Sequence, residues 1–319
     1  MSLFADEFAE KSVKKYINGK WLNCYLSDYY IYLDYFDEGG YGIVHKVMDR
    51  FSGKHLILKR SSKKDFVAAK LPPDVFGSPS PQTIKDSEWQ DDCHMSQEAV
   101  FAIKVFEKLN GIKLCDYYDD DDQYIMVMED GGRSLESITG SHKKKILNLV
   151  RYNSYQTNFF YKTYLQSIAR ILVKIYHKIK SIHDLDIHHN DLKPENVLVS
   201  EDLDGEQVHI IDFGVSKPVQ DKYTSFKGTL EYVPYEYLVS GEYKPWDHTL
   251  WCFGVMIYSL CLMSPPFLKE EDITEYNLNY EKINKLPSSF ANLIYDCLHK
   301  DPTKRPRNLL ERLQELRTY

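Results

Sequence analysis

The run IHHNDLKPENVLV at 187–199, followed by HIIDFG at 209–214, constrains this chain more than any other feature. Asp191, Lys193 and Asn196 fall within six residues, immediately before a short apolar strand, and Asp212 follows Asp191 by 21 residues. Asn196–Ser200 and Val208–Ile211 read as a small strand pair around Asp204-Gly205, a dipeptide suited to a tight hairpin turn. Singly, each acid is an ordinary loop residue. Two carboxylates, a cation and an amide at hairpin spacing form a chemical pattern that chance does not produce.

The chain on either side of this pattern divides into a strand-rich first part and a helical second part, an α+β arrangement. Residues 1–29 read as a short helix and then a hairpin around Asn18-Gly19. Tyr30–Phe36, Ile43–Met48, His55–Lys59 and Tyr124–Met128 favour strand, and the Pro/Ser-rich stretch within 61–94 favours an exposed loop. A helix is expected over Ser96–Asn110, stopped by Gly111. At 100° per residue, Glu98 falls on the same arc as Ala102, Val105, Phe106 and Leu109, so a carboxylate lies on the apolar face. If buried there, it needs a cationic partner. Leu165, Ile168, Ile171, Leu172, Ile175, Ile179 and Ile182 form a helical stripe, and further helices are expected at 249–263, 287–299 and 307–316.

Composition removes several function classes. At 319 residues the chain has room for two domains or lobes, and 43% hydrophobic with 27% charged residues is ordinary globular usage. The net charge of −7 argues against a broad nucleic-acid surface. The longest apolar run, Trp251–Met263, is 13 residues and stops at Ser264-Pro265-Pro266, whereas a membrane span needs about 20. Six scattered cysteines (Cys24, Cys93, Cys115, Cys252, Cys261 and Cys297) contain no C-x-x-C pair, and the N-terminus has no basic start before an apolar core. An intracellular protein, cytoplasmic or nuclear, is the expectation. The 25 tyrosines are in excess, and lineage composition rather than mechanism is the expected reason.

Asp37-Glu38-Gly39-Gly40-Tyr41-Gly42-Ile43-Val44 lies between two expected strands, and Lys59 ends the next one, 15 residues after Val44. With Glu98 on the inward face of the following helix, the first part supplies backbone amides for a phosphate chain, a cation for it, and a carboxylate to hold that cation. Taken with DLKPEN and DFG, the chain resembles a eukaryotic-type protein kinase, most like the Ser/Thr group, over about residues 30–316. MVMED at 126–130 is similar to the strand entering the adenine-binding hinge, and GTLEYVPYE at 228–236 to the end of the activation segment. LWCFGVMIYSL at 250–260 and CLHKDPTKRP at 297–306 are similar to the buried helix and closing motif of the large lobe.

The resemblance implies a bilobal fold: an extension at 1–29, a small lobe at about 30–128, a hinge at 129–132 and a helical lobe at 133–316. It implies Mg-ATP, with Mn²⁺ as the alternative ion, and a protein substrate. By resemblance, Gly39, Gly40, Gly42, Val44, Lys59, Met128, Glu129 and Asp130 bind nucleotide, Glu98 anchors Lys59, and Asn196 and Asp212 ligate the metal. Asp191 would orient the substrate hydroxyl and accept its proton, Lys193 would neutralise the transferring phosphoryl, and Thr229 would brace both. His189 and Phe213 would pack the core, and Glu236 with Arg305 would form a buried ion pair. Glu195 and the net −7 favour a basic protein substrate.

The chain departs from the family pattern at several positions. Asp37 stands at the first loop glycine, where a carboxylate repels phosphate unless Mg²⁺ screens it. Asn190 replaces the arginine that receives an activation-segment phosphate, so activity independent of Ser225 phosphorylation is expected. Pro234-Tyr235-Glu236 replaces Ala-Pro-Glu, and Thr249 stands where an aspartate caps the catalytic loop, with Asp247 the candidate substitute. Insertions at 61–94 and 137–160, the second containing Lys143-Lys144-Lys145, are expected to be solvated loops, with a regulatory partner site as the alternative. Two competing readings are a catalytically silent scaffold of this fold and a small-molecule kinase of the antibiotic or choline type. Joint retention of Lys59, Glu98, Asp191, Lys193, Asn196 and Asp212 weighs against the first, and the GTLEYVPYE segment against the second.

Overall fold

A computed structural model describes residues 12–17, 20–39, 42–65, 68–70, 94–120, 122–150, 154–202 and 205–318. The helix expected before the first hairpin, the Asn18-Gly19 turn, Gly40 and most of the Pro/Ser-rich stretch lie outside these residues. The chain forms two compact units: Met1–Gly131 with Asp212–Gly214, and Gly132–Ile211 with Val215–Tyr319.

The first unit is built on a seven-stranded antiparallel sheet. Its strands are β1 (Ser12–Ile17), β2 (Lys20–Tyr25), β3 (Tyr30–Gly39), β4 (Gly42–Asp49), β5 (His55–Ser62), β8 (Leu114–Asp119) and β9 (Gln123–Glu129), while β6 (Ala68–Lys70) pairs separately with β7 (His94–Ser96). The sheet order is β2-β1-β8-β9-β5-β4-β3, so the N-terminal hairpin is an integral edge of the sheet, joined to β8 through Lys14↔Asp119 and Lys15↔Tyr118. One face buries Val13, Tyr30, Val47, Leu58, Tyr118 and Val127. A second cluster joins Met95, Ala99 and Ile103 to Leu114, Tyr117 and Met126, and so packs the Gln97–Leu109 helix against the sheet.

That helix follows its sequence signals closely. Ser96 caps its start by accepting the Ala99 amide at 3.3 Å, and Glu98 in the first turn suits the positive helix end. Its C-terminus differs from expectation: Asn110, at φ 51°, takes the left-handed position assigned to the following Gly111. Asparagine tolerates that conformation through its short polar side chain. β8 was not anticipated in the sequence. A register shift between Leu114 and Asp116 breaks the two-residue alternation that marks a half-buried strand.

In the second unit, β10 (Arg133–Ser134), β12 (Val197–Asp202) and β13 (Gly205–Ile210) form a three-stranded sheet, and β11 (Ile187–His188) pairs with β14 (Lys217–Pro218). The apolar stripe lies on a 31-residue helix, Ser154–Asp184, with Leu165, Leu172 and Ile175 fully buried. After its polar first turn the Pro245–Leu262 helix is almost entirely apolar and almost wholly buried, as expected of a core helix rather than a span. No helix among the described residues is long and apolar enough to cross a membrane.

Residues 137–160 correct the sequence expectation of a solvated loop. The described part belongs to two helices, Leu135–Val150 and the start of Ser154–Asp184. His142 packs on Tyr164 and Phe160 with ring centroids 5.1 Å and 5.8 Å apart, so tertiary packing overrides the weak helix propensity of Ile138-Thr139-Gly140-Ser141.

Candidate active site

Strand pairing in the first unit places Lys59 on β5 between Val44 of β4 and Met126 of β9. Its side chain is buried, and its ammonium lies 2.7 Å from Glu98 Oε1 and 2.7 Å from Asp212 Oδ1. Glu98 is 3% exposed, and its second oxygen has no hydrogen-bond partner among the described residues. Burial pushes the Glu98 carboxyl up to about 7, opposed by the Lys59 ammonium and reinforced by the Asp212 charge. Burial acts to lower Lys59, but the charges of Asp212 and Glu98 outweigh it and hold the ammonium protonated above its usual range.

Asp212 sits at φ 65°, an uncommon conformation for a residue other than glycine, and its Oδ1 also accepts the Gly214 amide at 3.2 Å. A non-glycine residue held in the left-handed region is a feature that concentrates at functional sites. Gly39 and Gly42 face each other at the β3–β4 turn. At Gly42, φ is 153° and an added Cβ would fall on the Arg60 carbonyl oxygen, so close strand approach by itself demands glycine there. Met128 packs against the cluster that buries the helix, and the Glu129 amide donates to Lys113 at 3.0 Å at the end of β9.

The catalytic-loop candidates converge in the second unit. Asp191 is 2% exposed, and Thr229 donates to its Oδ1 from the backbone amide at 2.9 Å and from Oγ1 at 2.7 Å. Its Oδ2 lies 3.0 Å from Lys193 Nζ and accepts from Asn196 Nδ2 at 3.0 Å. Lys193 also donates to Thr229 Oγ1 at 2.6 Å, closing a network of Asp191, Lys193, Asn196 and Thr229. Asn196 donates further to the Asp191 carbonyl at 2.8 Å, and its own carbonyl accepts the Ile211 amide at 3.0 Å. The β12–β13 hairpin therefore fixes the loop from behind, as its spacing implied.

Sequence reasoning missed how Asn190 is used. At φ 67° its side-chain nitrogen donates to the Lys227 carbonyl, and its oxygen accepts the Tyr243 hydroxyl at 2.7 Å. Gly228 runs so close that an added Cβ would lie 2.8 Å from the Asn190 carbonyl. Tyr223 and Tyr243 exchange backbone hydrogen bonds at 2.9 Å and 3.1 Å, and Phe226, Tyr237 and His248 pack their rings against Tyr243. An aromatic cluster stands where sequence alone showed a missing phosphate receiver.

The Glu236–Arg305 pair and the candidate loop cap Asp247 also lie in this unit. Arg305, fully buried, meets Glu236 in a bidentate pair at 2.8 Å and 2.5 Å, and it also donates to the Asp247 and His299 carbonyls. Asp247 does not take the role of loop cap. Its carboxylate accepts from Arg307 at 2.6 Å, and the neighbouring His248 instead lies 3.2 Å from His188 on the strand entering the loop.

Comparison with known proteins decides the family. The model of the protein kinase domain matches residues 80–315. The chain belongs to the protein kinase family. A protein of Invertebrate iridescent virus 3 named as serine/threonine-protein kinase 040L is 48% identical across 99% of this chain and 96% of its own length. Serine/threonine-protein kinase PSK2 of Saccharomyces cerevisiae is 29% identical across 62% of this chain, a match covering 16% of that protein. Serine/threonine-protein kinase pim-2 of Danio rerio is 32% identical across 44% of this chain and 45% of its own length. Members of this family generally use ATP and Mg²⁺ and act on protein substrates.

Proposed function

We propose that this chain is an ATP-dependent protein serine/threonine kinase that transfers the γ-phosphate of Mg-ATP to Ser and Thr hydroxyls. The observation that carries the reading is the bracing of Asp191 by Thr229, Lys193 and Asn196 in one buried network. Phosphoryl transfer needs positioning and charge neutralisation more than covalent participation by the enzyme. Asp191, held on both oxygens, orients the acceptor hydroxyl and takes its proton, and Lys193 places a positive charge beside the same carboxylate.

Lys59 holds the nucleotide phosphates, and Glu98 fixes Lys59 for that role. Gly39, Gly40, Gly42 and Val44 cover the phosphates, and Met128, Glu129 and Asp130 receive the adenine. Asp212 and Asn196 suit a magnesium ion, because both offer hard oxygen ligands. Asn196 commits its amide nitrogen to Asp191, which leaves its side-chain oxygen as the candidate ligating atom. Bound Mg²⁺ supplies neutralisation of the charge that develops on the phosphates.

A basic protein substrate is favoured by the exposed Glu195 and the net −7. Cys24, Cys115, Cys252, Cys261 and Cys297 are free thiols, which suits an intracellular setting. The test is transfer of labelled phosphate to a peptide array, followed by identification of the phosphorylated residue type. Labelled Ser and Thr, strongest beside basic residues, is the expected result. Label on Tyr alone, or nucleotide binding with no transfer, overturns the reading.

A further inference from the structure

The Lys59–Glu98 pair depends on where the Gln97–Leu109 helix begins, and the structure shows what holds that point. The Ser96 amide, at the helix cap, donates to the Tyr117 hydroxyl at 2.9 Å across 21 residues of chain, and this bond is buried. Tyr117 projects from β8, is 1% exposed and stacks on Tyr124 at 5.7 Å. The Trp21 ring of β2 lies 6.1 Å from the Tyr117 ring and packs against the cluster of Met95, Ala99 and Ile103.

The same hairpin is fastened to the opposite face of β8. Lys15 of β1 pairs with Asp116 at 2.8 Å, and the Tyr30 and Tyr118 hydroxyls also donate to Asp116. Successive side chains of a strand point to opposite faces, so Asp116 and Tyr118 engage the hairpin while Tyr117 reaches the helix. Lys15 further lies over the Tyr29 ring at 3.7 Å, which adds a cation–π contact to the ion pair. The path from hairpin to catalytic pair is continuous: Trp21, Tyr117, Ser96, Glu98, Lys59.

We infer that the N-terminal hairpin is part of the catalytic apparatus, and that Trp21 and Tyr117 are positioning residues which hold Glu98 against Lys59. The inference rests on the roles proposed above for Lys59 and Glu98. It moves the hairpin from an appended extension into the working sheet, and it gives part of the tyrosine excess a mechanical use. A helix start without the Tyr117 hydroxyl has a buried amide left unpaired, and it relieves this by shifting, which carries Glu98 with it.

The experiment is a double-mutant cycle in the full chain, reading kcat/KM for peptide phosphorylation. Tyr117→Phe, which removes one oxygen, is expected to lower kcat/KM about tenfold in the parent chain and less than about twofold in a Glu98→Gln background, because residues acting as one unit are not additive. Trp21→Leu is expected to follow the same pattern, with Trp21→Phe restoring most of the activity. Equal losses of kcat/KM in both backgrounds, or no loss in the parent, overturn the inference. If Glu98→Gln alone leaves kcat/KM unchanged, it is the assignment of the Lys59–Glu98 pair that fails, along with everything built on it. Thermal midpoints are measured alongside; should Tyr117→Phe not fold, the Trp21→Leu cycle decides the outcome by the same criterion.

Discussion

The Tyr243 hydroxyl donates to the Asn190 side-chain oxygen at 2.7 Å, immediately beside Asp191, the proposed catalytic aspartate, in sequence. Through its nitrogen, Asn190 also holds the Lys227 carbonyl, two residues before Thr229. The activation segment is thus tied to the catalytic loop by neutral hydrogen bonds and stacked rings.

This arrangement predicts that Ser225→Ala retains phosphotransfer activity within about twofold of the parent, since no charge pair depends on it. Asn190→Ala is predicted to reduce kcat about tenfold, equivalent to about 1.4 kcal/mol of lost transition-state positioning. Steady-state kinetics on one peptide substrate checks both. A loss of tenfold or more in Ser225→Ala contradicts the phosphate-independent lock.

Arg305→Ala is predicted to destabilise the protein by about 3–5 kcal/mol, because it leaves the largely buried Glu236 carboxylate without its partner. The loss also removes donors to the Asp247 and His299 carbonyls and a guanidinium stacked 4.9 Å from the Trp251 ring centroid. Calorimetry should show a midpoint lower by several degrees, and an unchanged midpoint refutes the pairing.

His248 predicts an acid-side stability dependence. It is buried against His188, the Tyr232 carbonyl and the Cys252 thiol, and burial pushes its imidazole down from 6.5 to about 3. Because the folded value lies below the unfolded one, its contribution is fully present above pH 6.5 and is lost as pH falls toward 3. His188 is displaced in the same direction by burial and by the neighbouring His248, so the two contributions reinforce one another. Thermal midpoints measured between pH 7 and pH 4 should fall more shallowly in His248→Asn than in the parent; parallel curves count against this account.

Much of the site was readable because its residues sit on short-range signals. Asp191, Lys193 and Asn196 share one loop, and the β12–β13 hairpin carries the chain from that loop to Asp212. Glu98 was readable from helix periodicity, since a carboxylate on an apolar arc has to find a cation. What escaped the sequence depends on tertiary partners. Tyr117 lies in a strand whose alternation a bulge interrupts, in a segment flanked by Asp116 and Asp119 that reads as polar. The Leu135–Val150 helix contains Thr139, Gly140 and Ser141, weak helix formers, and only the rings of Phe160 and Tyr164 packed on His142 account for it. Asp247 and His248 are adjacent, and only their tertiary partners tell them apart: Asp247 pairs with Arg307, whereas His248 lies 3.2 Å from His188.

The most direct test of the central claim is the rate of phosphate transfer by Asp191→Asn, measured beside its affinity for nucleotide. The account predicts that transfer falls at least about a hundredfold, the scale of a lost positioned base, while nucleotide affinity stays within about twofold. Transfer at the parental rate would contradict the assignment of Asp191, and with it the proposed mechanism.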